Sequence, residues 1–161
     1  MLKNILSGSD CARCRICCVF DKYDIWETPV VSDELYGRII ADFPETEFIS
    51  KGSSRIFKCI PDDEKGELYV CPMLDKASGC RLGDSKPFDC RIWPYRIMEL
   101  GGKRVISIAS ICPEMYNKPL SQLVNELEEN NLSEKIFSEA EKNPDIIKPY
   151  QEGYPILKVE R

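Results

Sequence analysis

Eight of the nine cysteines in this 161-residue chain fall into two groups, and the chain contains no histidine. The first group has the spacing C-x₂-C-x₂-C-C and consists of Cys11, Cys14, Cys17 and Cys18. The second group is spread over a longer stretch and consists of Cys71, Cys80, Cys90 and Cys112. A thiolate is a soft metal ligand, and a two-residue gap lets neighbouring sulfurs face one ion or cluster. The pattern predicts that these eight cysteines are metal ligands, for an iron–sulfur cluster or for zinc.

The absence of histidine limits the kinds of metal site that the chain can form. Zinc sites of the Cys₂His₂ and Cys₃His types are excluded within the chain, as is a catalytic zinc held by histidine. Mononuclear iron bound by two histidines and a carboxylate is excluded as well. All-cysteine coordination remains, with an occasional carboxylate as a further ligand.

The spacing of the first group favours an iron–sulfur cluster of the 4Fe-4S type. Bacterial ferredoxins use C-x₂-C-x₂-C together with a distant cysteine that precedes a proline. Cys71-Pro72 and Cys112-Pro113 are both candidates for that distant ligand. The fit is incomplete, because Cys18 adjoins Cys17 and does not easily share its corner of a cluster.

Zinc is the alternative cofactor. Structural zinc prefers two Cys-x₂₋₄-Cys pairs brought together, and the second group, with gaps of eight and nine residues between Cys71, Cys80 and Cys90, supplies no such pair. Eight sulfurs could make one site or two, and the spacing leaves open which cysteines share a site. A disulfide framework fits poorly with an odd cysteine count and an adjacent pair.

Other residues near the two groups have plainer interpretations. Cys59 stands outside both groups in an apolar stretch, and we expect a small buried side chain there. Arginines close to the cysteines could hold thiolates ionised or could be ordinary surface charge; they are Arg13, Arg15, Arg81, Arg91 and Arg96.

Composition restricts the class of protein. A formal net charge of −5 and a pI near 5.0 argue against nucleic-acid binding, which requires a basic face. The sequence shows neither the apolar run of a signal peptide nor that of a membrane span. We therefore expect a cytoplasmic protein that acts on no nucleic acid or membrane and whose partner is another protein. In the cytoplasm thiols stay reduced and free to bind metal.

Local patterns predict a small α+β fold with two β-hairpins, irregular cysteine loops and C-terminal helices. Helices are expected at 33–43, with Ser32 as N-cap, and at 120–141, divided near Asn130-Asn131. One hairpin is expected from strands at 55–60 and 67–71 around a loop at 61–66, and a second from strands at 96–100 and 103–109 around Gly101-Gly102. The predicted organisation is a metal-binding domain over 1–118, a helical extension over 119–143 and an extended tail over 144–161.

Four ordered elements of the sequence resemble the YkgJ-type cysteine-cluster family, which is described as zinc- or iron-chelating. They are Cys11-x₂-Cys14-x₂-Cys17-Cys18, Cys71-Pro72-Met73-Leu74, Gly79-Cys80-Arg81-Leu82 and Lys86-Pro87-x₂-Cys90-Arg91-x₂-Pro94. Lys86 stands where the family usually has arginine, and Leu82-Gly83 replaces its apolar-Tyr step. The resemblance covers about residues 11 to 94, with Cys112 as a further family cysteine, and implies metal binding without specifying an activity.

Three functions are compatible with these features. The first is an iron–sulfur protein with a redox or cluster-handling role. The second is a zinc-stapled module that binds another protein. The third is an accessory or catalytic domain of S-adenosylmethionine-dependent protein modification, because the resemblance extends to a cysteine motif of flagellin lysine methylases. The chain has no histidine for acid–base chemistry and no glycine-rich nucleotide loop, so the sequence leaves open whether it is an enzyme.

Overall fold

The computed structural model describes residues 12–21, 26–62 and 68–161. The chain divides into two compact units, whose described residues belong to Ser9–Arg91 (the first unit) and to Ile92–Arg161 (the second unit). No helix in the described ranges is long and apolar enough to cross a lipid bilayer.

The first unit is built from short strands in small sheets. Its described strands are β1 (Val19–Asp21), β2 (Val30–Val31), β3 (Phe48–Lys51), β4 (Ser54–Phe57), β5 (Ile60–Pro61), β6 (Leu68–Val70), β7 (Leu74–Asp75) and β8 (Gly79–Cys80). They pair antiparallel in the orders β1-β6-β5, β2-β4-β3 and β7-β8. Helix α1 (Asp33–Asp42) follows β2, and the short helix α2 (Phe88–Ile92) follows β8.

Helix α1 begins where the sequence predicts a helix start. The Ser32 hydroxyl accepts a hydrogen bond from the Leu35 N–H at 3.4 Å, and Asp33 and Glu34 occupy the first turn, where negative charge is favourable. The predicted helix at 33–43 is therefore confirmed, with its last residue at Asp42.

The core of the first unit brings two of its sheets and α1 to one apolar cluster. Its buried members are Phe20, Val31, Ile39, Phe57, Cys59, Cys71 and Met73. Cys18 and Cys80 are among the partly buried side chains that pack against it. Cysteines thus form part of the hydrophobic core as well as part of the irregular loops.

The second unit is a four-stranded sheet with two helices. Its strands are β9 (Tyr95–Leu100), β10 (Lys103–Ile108), β11 (Lys148–Pro149) and β12 (Ile156–Val159), in the order β11-β9-β10-β12. The helices are α3 (Leu120–Glu129) and α4 (Leu132–Lys142). The Tyr95 hydroxyl donates a hydrogen bond of 2.8 Å to the Leu123 carbonyl, which ties α3 to β9.

The second hairpin and both C-terminal helices confirm the sequence-based predictions. Leu100 pairs with Lys103 across Gly101-Gly102, whose φ angles of 58° and 77° are those of a tight turn that favours glycine. The predicted helical stretch divides at Asn130-Asn131, where Asn131 adopts a left-handed φ of 51°.

Elsewhere the structure differs from the predicted elements. The first expected hairpin is present as the antiparallel pair β5–β6, but the run 55–60, expected as one of its strands, is split between β4 and β5 in two different sheets. Residues 63–67 of the predicted loop lie outside the described residues. Residues 144–161, expected as an extended tail, contain β11 and β12, which form the two edges of the second unit's sheet. Among the described residues the two units divide at 91/92, and the predicted boundaries at 118/119 and 143/144 stay predictions.

Candidate metal centre

The first cysteine group is folded back on itself by a turn at Arg15. Residues 12–14 are helical, Arg15 adopts a left-handed φ of 57°, and Ile16–Cys18 form a single 3₁₀ turn. The Arg15 Nε donates to the Ala12 carbonyl at 2.8 Å, and the Cys18 N–H donates to the Arg15 carbonyl at 2.8 Å. These bonds hold the described cysteines of the group in one compact turn; Cys11 lies outside the described residues.

The adjacent cysteines Cys17 and Cys18 have neighbouring sulfurs. Their Sγ atoms are 4.0 Å apart, and both residues are partly buried. Two sulfurs bound tetrahedrally to one zinc at about 2.3 Å would be about 3.8 Å apart. In the sequence, the adjacency of Cys17 and Cys18 argued against their binding at the same corner of a cluster. The distance between their sulfurs is nevertheless compatible with one metal centre.

Two contacts join the first group to the second. The Cys71 N–H donates to the Cys18 carbonyl at 2.9 Å, which extends the β1–β6 pairing. Ala12 lies against Gly79, so closely that a Cβ built on Gly79 would be 3.1 Å from the Ala12 Cβ. Cys71 and Cys80 are thereby tied to the segment that carries the first cysteines.

The remaining first-unit cysteines are positioned by short local structures. Cys80 ends β8 and pairs with Leu74 across the β7–β8 hairpin. Cys90 lies in α2, where its N–H donates to the Pro87 carbonyl at 3.0 Å. The buried carboxylate of Asp89 accepts the Val30 N–H at 3.0 Å and so anchors this helix to β2.

Cys71 lies at the electrostatic centre of these thiols. Burial raises the pKa of the Cys71 thiol well above its ordinary value, and the neighbouring thiols of Cys90, Cys59 and Cys80 raise it further, while the Met73 N–H opposes them. Each of these neighbours, once ionised, would repel a thiolate at Cys71. A metal cation among them would reverse the sign of that interaction, because its charge favours every thiolate around it.

Cys59 is close to this group, which its position in the sequence did not indicate. It is 6% exposed and belongs to the same apolar cluster as Cys71. Burial raises the pKa of Cys59 to about 11, against a hydrogen bond from the Thr28 hydroxyl that lowers it. The expected burial of Cys59 is confirmed, and its neighbours include the thiol of Cys71. The proximity of Cys59 to Cys71 follows from the register of β5 with β6, which local sequence patterns do not reveal.

Two observations bear on the expected ligand set. Among residues 12–21, 26–62 and 68–161, no three Cys, Asp or Glu side chains are arranged at distances that would hold a metal ion. Cys112 belongs to the second unit, where it is buried just before the 3₁₀ turn Pro113–Met115. The described thiols of the first unit are neighbours, then, without being drawn onto one point.

The arginines near the cysteines are held mainly by aromatic rings. In the first unit the Arg81 guanidinium lies 4.2 Å from the centre of the Phe43 ring and 3.7 Å from the Glu45 carboxylate. The Arg91 guanidinium lies 5.5 Å from the centre of the Phe88 ring. These cation–π contacts hold the two guanidiniums in place close in sequence to Cys80 and Cys90.

An open cleft of about 350 Å³ reaches Cys59. Its wall also includes Pro72 and Arg81, each of which adjoins a cysteine of the second group, and its rim carries an ion pair of 2.6 Å between Lys58 and Glu47. The cleft gives solvent and small ions a path to the edge of the thiol-containing core.

Comparisons with protein-family models, with curated proteins and with solved structures give no match to this chain. The resemblance to the YkgJ-type family therefore stays a prediction, based on the four motif elements.

Proposed function

We propose that this protein holds an iron–sulfur cluster, of the 4Fe-4S type, through cysteine thiolates of the first unit. The hydrogen bond between the Cys71 N–H and the Cys18 carbonyl carries the proposal, because it joins the C-x₂-C-x₂-C-C group to a Cys-Pro dipeptide. That is the combination by which bacterial ferredoxins hold a four-iron cluster.

The donor set fits such a group chemically. The described thiols around Cys71 include those of Cys80 and Cys90, and both are soft sulfur donors. Apolar neighbours such as Phe20 and Met73 are buried in the same cluster. Burial of this kind excludes water, and solvent exposure is one of the factors that set the reduction potential of a cluster.

Cys14, Cys17, Cys18, Cys71, Cys80 and Cys90 are the described first-unit candidates for ligands, and Cys11 is a further candidate from its motif; Cys112 belongs to the second unit and stays a separate prediction from the sequence. A bound cluster would supply one-electron redox chemistry. The chain itself would hold the cluster, fix positive charge at Arg81 and Arg91, and limit water through its apolar core. The role that follows is electron transfer, redox sensing or cluster handling with a protein partner in the cytoplasm.

Metal and sulfide analysis of anaerobically purified protein tests this function. We expect about four irons and four acid-labile sulfides per chain, with a brown colour that dithionite bleaches. One or two zinc ions and no colour would instead favour the zinc-stapled interaction module, since zinc has no redox chemistry. A chain that takes up neither metal would contradict both.

Substitutions then assign the ligands. Serine at Cys14, Cys17, Cys71 or Cys90 should reduce bound metal, because each change removes one thiolate. Met73→Leu is the matched control, since it alters a buried neighbour of Cys71 and leaves every sulfur ligand in place. An equal loss of metal in Met73→Leu and in the serine variants would show that packing, and not ligation, controls the site. Wild-type metal content in the serine variants would show that these cysteines are not ligands.

A further inference from the structure

The sheet β1-β6-β5 ends on a pair of cysteines along its β1–β6 edge. Val19 lies opposite Val70 in this antiparallel pairing. One residue further, the Cys71 N–H donates to the Cys18 carbonyl at 2.9 Å, so the same register puts Cys18 opposite Cys71.

The other side of β6 leads to a third cysteine at the same level. Ile60 lies opposite Val70, and Pro61 lies opposite Tyr69. One further step of this register puts Cys59 opposite Cys71. The two registers together place Cys18, Cys71 and Cys59 in one row across the end of the sheet.

The three side chains of this row belong to the buried face of the sheet. Residues directly opposite each other share a face, and residues two apart along a strand return to it. Phe20 and Tyr69, two residues along from Cys18 and Cys71, are in the apolar cluster together with all three cysteines. Ile60, on the intervening row, is 52% exposed, as expected for the opposite face.

We propose that Cys59 is a ligand of the same metal centre, and that the row Cys18–Cys71–Cys59 forms the wall of that centre contributed by the sheet. The inference rests on the proposed function, and it replaces the expectation that Cys59 is only a packing residue. Side chains directly opposite each other in a sheet have Cβ atoms about 4.5–5.5 Å apart. That spacing lets the Cys71 thiolate turn toward one metal atom together with either neighbour, whereas Cys18 and Cys59, two strands and about 10 Å apart, would bind different metal atoms of the same centre.

The cleft beside Cys59 supports this assignment. A metal centre needs an access path, and the cleft walls include Cys59, Pro72 and Arg81. Cys59 is the cysteine that lines the cleft, and Pro72 and Arg81 in its wall follow Cys71 and Cys80 in the sequence.

The test compares Cys59→Val and Cys59→Ser with the wild-type chain and with Met73→Leu, all at full length. Valine keeps an apolar side chain in the core and removes the sulfur. Metal per chain and the affinity for added Zn²⁺, measured by competition with a chelator, are the readouts. Loss of an outer hydrogen-bond partner already weakens metal affinity about 10–100-fold, so we expect both Cys59 variants to lose more than about 100-fold, and Met73→Leu to stay near the wild type.

A second measurement needs no variant. Binding to a metal changes the ¹³Cβ NMR resonance of a cysteine, so the Cys59 resonance of the wild-type chain should shift when Zn²⁺ is added. If Cys59→Val binds metal like the wild type, or if the Cys59 resonance does not move in the loaded protein, Cys59 is not a ligand and the inference is overturned alone. A wild-type chain that binds no metal would overturn the proposed function, and the assignment of Cys59 with it.

Discussion

Replacing Gly79 with alanine tests the contact that joins the two cysteine groups. Gly79 has a φ of +89°, and a Cβ placed there would lie 3.1 Å from the Ala12 Cβ. A left-handed backbone costs an alanine about 1–2 kcal/mol, and overpacking in a tight contact costs typically about 1–3 kcal/mol more. We therefore expect Gly79→Ala to lower the free energy of unfolding by about 2–5 kcal/mol.

Gly153→Ala separates the two contributions. Gly153 has a φ of +93°, and a Cβ there would meet no atom within 4 Å. The strain should be similar and the overpacking absent, so this control should cost only about 1–2 kcal/mol. Denaturant unfolding of the metal-free chains measures both values in the absence of any contribution from bound metal.

Removing the Ala12 methyl group tests whether its contact with residue 79 causes the overpacking. In the double variant Ala12→Gly, Gly79→Ala, the nearest remaining atom is the Ala12 Cα position at 3.5 Å, an ordinary contact. The double-mutant cycle should then show favourable coupling of about 1–3 kcal/mol. Equal losses for Gly79→Ala and Gly153→Ala, with no coupling to residue 12, would refute the packing of the first cysteine group on β8.

Three further predictions concern the anchoring of α2, the second unit and the thiols. Asp89→Ala should cost about 1.5–3 kcal/mol, because the buried Val30 N–H loses a charge-assisted acceptor; thermal unfolding should show Asp89→Asn, which keeps an acceptor oxygen, losing less. Burial, and to a smaller extent Glu126, raises the pKa of the Tyr95 hydroxyl in the folded chain. The unfolded chain therefore loses this proton at lower pH, and the free energy of unfolding should fall as the pH rises above about 10. Denaturant unfolding at pH 8 to 11 measures this fall, which should be smaller in Tyr95→Phe. Zn²⁺ added to the metal-free chain should release protons into weak buffer, since the raised pKa of Cys71 keeps that thiol protonated at neutral pH; Cys71→Ser should release fewer.

Elements that depend on local chemistry were predictable from the sequence. Ser32 followed by two acidic residues specifies the start of α1, and Gly101-Gly102 specifies the β9–β10 turn, because each signal acts within four residues of the structure it determines. The break between α3 and α4 follows from the two asparagines for the same reason.

Features that depend on strand pairing were not predictable in this way. β5 and β11 contain two residues each, too few for an alternating pattern to be recognised. The bond between Val30 and Asp89 joins residues 59 positions apart, and no local propensity specifies it. The neighbourhood of Cys59 and Cys71 has the same origin, since it arises only once β5 and β6 are in register.

This difference explains why spacing along the chain is an incomplete guide to a cysteine site. The C-x₂-C spacing predicts ligands that one turn of chain can bring together, and so it makes Cys14 and Cys17 candidates. A sheet brings ligands together across strands, where the separation along the chain carries no information and the register carries all of it. Cys18 takes part in both arrangements, because it ends the first turn and also stands opposite Cys71. The residue that fitted the ferredoxin spacing least well is therefore the one that connects the turn to the sheet.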